Sequence, residues 1–63
     1  MSGYDVFEVL GDGVLWHRAT QDLEEARRLA EEKAILTKNA FFILDQANQK
    51  KEFVTPSQPT PAA

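Results

Sequence analysis

The chain has 63 residues, enough for one small domain, and it has no cysteine, which excludes disulfides and thiolate-bound metals as supports for its core. Its net charge of −3 argues against a dedicated nucleic-acid binder, which usually carries a basic face. No apolar run approaches the roughly 20 residues of a membrane helix, and no secretory signal is recognisable at the N-terminus. We therefore expect a small soluble cytoplasmic domain.

The first two predicted elements are the strands of a hairpin. Tyr4–Leu10 is rich in aromatic and β-branched residues, Asp12-Gly13 after it is typical of a type I′ turn, and Val14–Ala19 is the return strand. With that two-residue loop, one face of the hairpin carries Phe7, Val9, Val14 and Trp16. The other face carries Tyr4, Val6, Glu8, Leu10, Leu15, His17 and Ala19. A three-residue loop would shift the pairing by one residue.

Thr20–Leu36 is the longest periodic segment, and it predicts an amphipathic helix with Leu29 at the centre of its apolar stripe. The stripe consists of Leu23, Ala26, Leu29, Ala30, Ala34 and Leu36, while glutamates and arginines cover the opposite side. Thr20 or Asp22 is the predicted N-cap. Asn39 is the predicted left-handed residue beyond the C-terminus of the helix.

Two more strands follow the helix. Ala40–Asp45 is apolar until its last residue, which predicts a strand with both faces covered; the alternative is a continuation of the helix broken at Asn39. Lys50–Val54 is short and charged, as suits a sheet edge. The turn between them contains Asn48, which tolerates a positive φ. Residues 55–63 are Pro-rich and uncharged, so we expect a domain over residues 1–54 followed by a disordered tail.

These elements predict an α+β fold of ββαββ type, a four-stranded antiparallel sheet in the order 2-1-3-4 with one helix packed on one face. The most apolar strands, the first and the third, take the middle positions. A glycine-containing turn, a Trp-bearing strand, the helix opening Leu23-Glu24-Glu25-Ala26 and an apolar strand closing on Asp45 follow one another along Tyr4–Val54. In this the chain resembles small uncharacterised bacterial ββαββ domains. The resemblance implies the fold and carries no activity.

We predict no catalytic, cofactor or metal site. His17 is the only histidine, and its one predicted acidic neighbour is Glu8, so we interpret the two as a cross-strand pair that supports the structure. A chain of this size also offers little room for a concave substrate pocket. We therefore expect a non-enzymatic protein.

Two functions are compatible with this pattern. One helix covers one face of the sheet, yet the first and third strands are apolar on both faces, which favours an interaction module. We expect a homodimer, with an unidentified protein partner as the other possibility. The predicted interface is Tyr4, Val6, Glu8, Leu10, Leu15 and His17. The alternative is a small nucleic-acid-binding accessory protein that uses Lys38, Lys50 and Lys51. Which sheet face the helix covers is left open.

Overall fold

The computed structural model describes residues 3–56, which form a four-stranded antiparallel sheet and one helix. The elements are β1 (Tyr4–Leu10), β2 (Gly13–Thr20), α1 (Leu23–Thr37), β3 (Phe41–Asp45) and β4 (Lys50–Val54). The sheet order is β2-β1-β3-β4, so the predicted α+β fold and strand order are confirmed. Most of the predicted tail, residues 57–63, lies outside the described residues.

Helix α1 meets the sheet through a stripe of alanines. Ala26, Ala30 and Ala34 are one turn apart and fully buried. Their small side chains allow the helix to lie close to the strands, where the core is completed by Val6, Phe41 and Ile43. Arg27, on the solvent side, forms two hydrogen bonds of 2.6 and 2.9 Å with the exposed Glu52 carboxylate on β4. Such a solvent-screened, exposed pair contributes little to stability.

Two leucines of the predicted stripe are placed differently. Leu29, predicted at the centre, is only partly buried at the margin of the core. Leu36 is 78% exposed, so its assignment to the buried stripe is wrong. The reason is helical geometry, because Leu36 lies about 120° around the helix axis from Ala30.

The helix caps agree with the predictions at one end and differ at the other. The Asp22 side chain accepts a hydrogen bond from the backbone N–H of Glu24 at 3.0 Å, which confirms Asp22 as the N-cap. The left-handed residue after the helix is Lys38, with φ of 61°, where Asn39 was predicted. In the turn before β4 the positive φ belongs to Gln49, where Asn48 was predicted. Both predictions miss by one residue.

The β1–β2 hairpin turns at Gly11 and Asp12, so the predicted Asp12-Gly13 loop is wrong. No glycine among the described residues has a positive φ, which also excludes a type I′ turn. Phe7 consequently pairs with Trp16, whereas the predicted loop would have placed it opposite Arg18, two residues further along β2. Because side chains alternate with a period of two, this shift preserves the predicted shared face of Phe7, Val9, Val14 and Trp16.

A β-bulge interrupts the same hairpin. Val6 pairs with Arg18 and Phe7 with Trp16, so His17 is the extra residue on β2. Beyond the bulge Ala19 pairs with Asp5. The bulge therefore moves Ala19 to the face opposite the one predicted.

Candidate functional site: the open face of the sheet

One face of the sheet has no helix over it in the part of the chain that the structure describes. Val6 and Ile43 contact the α1 alanines in the core, and they lie opposite each other on β1 and β3. Their neighbours along each strand, including Phe7 and Phe42, must point to the other side. We call that side the open face.

A row of four aromatic side chains crosses the open face from one edge of the sheet to the other. By register Phe7 pairs with Trp16 on one side and with Phe42 on the other, and Phe42 pairs with Phe53. The Phe7 and Phe42 rings are stacked at 4.9 Å, and the Phe42 and Phe53 rings are tilted at 5.4 Å. Phe42 is only 6% exposed, whereas Trp16 is 55% and Phe53 62% exposed. This aromatic row is thus closely packed at its centre and exposed at both ends.

A second row, next to the aromatic row, carries two opposite charges. Asp5 pairs with Leu44 on β3, and Leu44 pairs with Lys51 on β4, so we call these three residues the charged row. Two neutral donors hold the Asp5 carboxylate, the Trp16 indole N–H at 3.2 Å and the Gln46 amide at 2.8 Å. The Lys51 Nζ lies 5.1 Å from the centroid of the Phe42 ring, so its charge also lies on the open face.

The predicted interface residues do not lie on the open face. Val6 is fully buried in the core, Tyr4 packs against that core, and Glu8 is 7% exposed. Leu10 and Leu15 are exposed near the end of the hairpin. The helix covers the face that carries these residues, so they do not lie on the sheet face away from the helix, where the interface was expected.

The charges in the strands give no consistent signal for the open face. Asp5 and Lys51 share the parity of Phe7 and Phe53 along their strands, and charged side chains usually mark the side of a sheet that faces water. Other charged residues, including Glu8, Lys50 and Glu52, lie on the helix side of the sheet.

The predicted contact between Glu8 and His17 is present, and a third residue completes it. One Glu8 oxygen lies 2.8 Å from Nε2 of His17, and the other accepts a hydrogen bond of 2.6 Å from the Asn39 side-chain amide. These bonds, that from Asn39 first, hold the pKa of Glu8 below its ordinary value although burial acts in the opposite direction. The His17 ring also contacts the Phe41 ring at 5.0 Å, tilted against it. This cluster joins the segment after α1 to the hairpin and leaves no buried polar atom of the described side chains without a partner.

The three lysines of the nucleic-acid alternative do not form one patch. Lys38 precedes the start of β3, while Lys50 pairs with Asp45 at the other end of that strand. The two ends of β3 are about 13 Å apart. Lys51 alone lies on the open face.

Within residues 3–56, the structure gathers no group of three or more His, Cys, Asp or Glu side chains that could hold a metal ion. It also contains, in that range, no helix that is long and apolar enough to cross a membrane. Comparisons of the chain with protein-family models, with curated proteins and with solved structures found no match.

Proposed function

We propose that the protein is a small, non-enzymatic interaction module that associates with a second copy of itself through the open face. The observation that supports this is the aromatic row, which crosses all four strands on the face away from α1. Strands about 4.8 Å apart and about five residues long give this face roughly 320 Å² in projection. The largest apolar patch on a typical monomer measures about 300–600 Å² and is often functional, so a face of this size that carries four aromatic rings is a candidate contact surface.

A second copy fits this face in size and in strength of binding. Standard interfaces bury about 800 Å² per partner, and the open face is smaller than that, so we expect a weak dimer. A face-to-face pair would enclose the exposed part of Phe53 and add a second apolar layer to a small core. We also propose that the protein acts in the cytoplasm.

Sedimentation equilibrium across a hundredfold dilution in the micromolar range tests the proposal. We expect mostly dimer at the highest concentration and mostly monomer at the lowest. Phe53→Lys, which places a charge at the exposed end of the aromatic row, should weaken association at least tenfold. Leu36→Lys is the matched control, since Leu36 is equally apolar and even more exposed but lies on the helix. It should leave association unchanged. A wild-type chain that is monomeric throughout would contradict self-association.

The nucleic-acid alternative now has one supporting observation, the position of Lys51 beside the aromatic row. Bases of a single strand can stack on exposed aromatic rings next to a positive charge. Titration of a labelled oligothymidylate at low salt separates the two functions. Saturable binding that weakens steeply with salt and is reduced by Lys51→Ala favours the alternative, because phosphate contacts release counterions. We expect no such binding, since the lysines are separated and the helix surface is rich in glutamate.

A further inference from the structure

We propose that the two copies pair about a two-fold axis parallel to β3, so that Asp5 of each copy faces the partner's Lys51. This proposal rests on the self-association proposed above and assigns its geometry. It follows from the order of the charged row, in which Leu44 on β3 separates Asp5 on β1 from Lys51 on β4. The two charges thus lie about one strand spacing, or 4.8 Å, to either side of β3.

A two-fold axis along β3 places β1 of one copy opposite β4 of the other. It brings Asp5 of one copy opposite the partner subunit's Lys51, and the same contact forms a second time by symmetry. An axis across the strands would instead leave each charge opposite an apolar position or, if it passed through the charged row, opposite the same charge. Opposite charges in register across a self-complementary face favour the first arrangement.

The same axis also pairs the aromatic row with itself. Phe42, in the middle strand of the overlap, meets its own copy, and Phe7 meets the partner's Phe53. Trp16 lies on β2, beyond the region where the two sheets overlap. Centroid distances of 4.5–7 Å, the range favoured for aromatic pairs, are available between such facing rings.

Both charges are available for this contact. The ion pairs within residues 3–56 are His17–Glu8 and Arg27–Glu52, so neither Asp5 nor Lys51 is used by another charge there. Packed sheets lie about 10 Å apart, a gap that the long lysine side chain and the aspartate together can bridge. The angle of about 30° between aligned sheets moves opposite positions apart by a few ångström, which the flexible lysine can follow.

Charge exchange between two variants tests the axis. Asp5→Lys places two lysines opposite each other at both contacts, and Lys51→Asp places two aspartates there, so each variant alone should dimerise at least tenfold more weakly than the wild type. In a mixture of the two, both contacts regain opposite charges, and we expect a heterodimer of wild-type affinity. Lys50→Asp, a charge reversal at the neighbouring position on the helix side of β4, is the matched control and should dimerise normally. Sedimentation equilibrium at low salt gives the masses, and circular dichroism verifies folding.

Two results would overturn the axis while leaving self-association intact. In the first, the wild type dimerises and the single variants dimerise equally well. In the second, the wild type dimerises but the mixture of the two variants does not associate. A monomeric wild type would instead contradict the proposed function itself, and the axis with it. If Asp5→Lys does not fold because it loses the hydrogen bonds from Trp16 and Gln46, variants of Lys51 alone still test the axis. Lys51→Asp must then weaken association at least tenfold and Lys51→Arg must preserve it, and equal affinities for all three chains would overturn the axis.

Discussion

Burial and charge conflict most directly at Glu8, a carboxylate that is almost inaccessible to water yet is held in its charged form. Each of its oxygens has one partner, His17 or Asn39, and these bonds outweigh the effect of burial on its pKa. Periodicity along the hairpin predicts the contact with His17. It does not predict Asn39, which is 31 residues away and whose expected role was in the backbone turn after the helix. Because Lys38 takes that role, the Asn39 side chain is free to reach the carboxylate.

Replacing Asn39 by alanine should make the domain less stable and change how its stability depends on pH. A carboxyl whose pKa is lowered by folding stabilises the fold above its ordinary pKa, here 4.5, and loses that contribution as the pH falls through the lowered value. In Asn39→Ala the pKa of Glu8 should rise, because its main hydrogen-bond donor is gone. The gap in unfolding free energy between wild type and variant should therefore be largest near pH 7 and narrow below pH 4.5.

Urea denaturation at a series of pH values measures that gap, and Glu8→Gln serves as the control because it has no charge to titrate at this position. A gap between wild type and Asn39→Ala that widens at acid pH would show that Asn39 does not stabilise the charged form.

Among the elements, helix α1 buries the side on which its backbone can approach the sheet most closely, and not the side with the largest side chains. The alanines approach the sheet and the larger Leu29 lies at the margin of the contact. Ala30→Leu should therefore lower the free energy of unfolding by about 1–3 kcal/mol, since extra methylenes force the helix away from the strands. Leu29→Ala leaves a partly open site and should cost less than a fully buried leucine would. Glu32→Ala, on the exposed side, should change it by less than about 0.5 kcal/mol.

Urea unfolding curves of the three variants give this order directly. If Ala30→Leu were as mild as Glu32→Ala, the alanine stripe would not be the closest contact between helix and sheet.

The elements and their order could be predicted from the sequence, but the side of the sheet that the helix covers could not. Periods of two and of 3.6 residues define the strands and the helix, and the apolar character of β1 and β3 places them in the middle. The same apolar character prevents a prediction of which sheet face the helix covers, because Phe41 and Phe42 are neighbours of equal size that point to opposite sides. The aromatic row is likewise visible only in part. Phe7 and Trp16 share a hairpin, while Phe42 and Phe53 join them through pairings fixed by the whole sheet.

For the whole molecule, the core lies on one side of the sheet only, so the proposed self-association bears on the stability of the fold. The buried cluster between α1 and the sheet consists of Val6, Ala26, Ala30, Ala34, Phe41 and Ile43. In chains of fewer than about 70–80 residues, such a core rarely supplies more than 3–5 kcal/mol. If a second copy binds the open face as proposed, it adds apolar contacts that the unfolded chain cannot make. Its binding would then stabilise the folded state by mass action.

The melting temperature should consequently rise with protein concentration. Because the free partner is the monomer itself, a total concentration a hundredfold above the dissociation constant adds about 1.6 kcal/mol to the free energy of unfolding, RT times the logarithm of the ratio of total to free monomer. For a domain of this size, each kcal/mol raises the melting temperature by about 4–8 °C, so thermal unfolding followed by circular dichroism over a hundredfold concentration range should show a rise of several degrees. Phe53→Lys should show a smaller rise over that range, because its association is at least tenfold weaker, whereas Leu36→Lys should follow the wild type. A wild-type melting temperature that is independent of concentration would separate stability from association and would leave the small core as the only support of the fold.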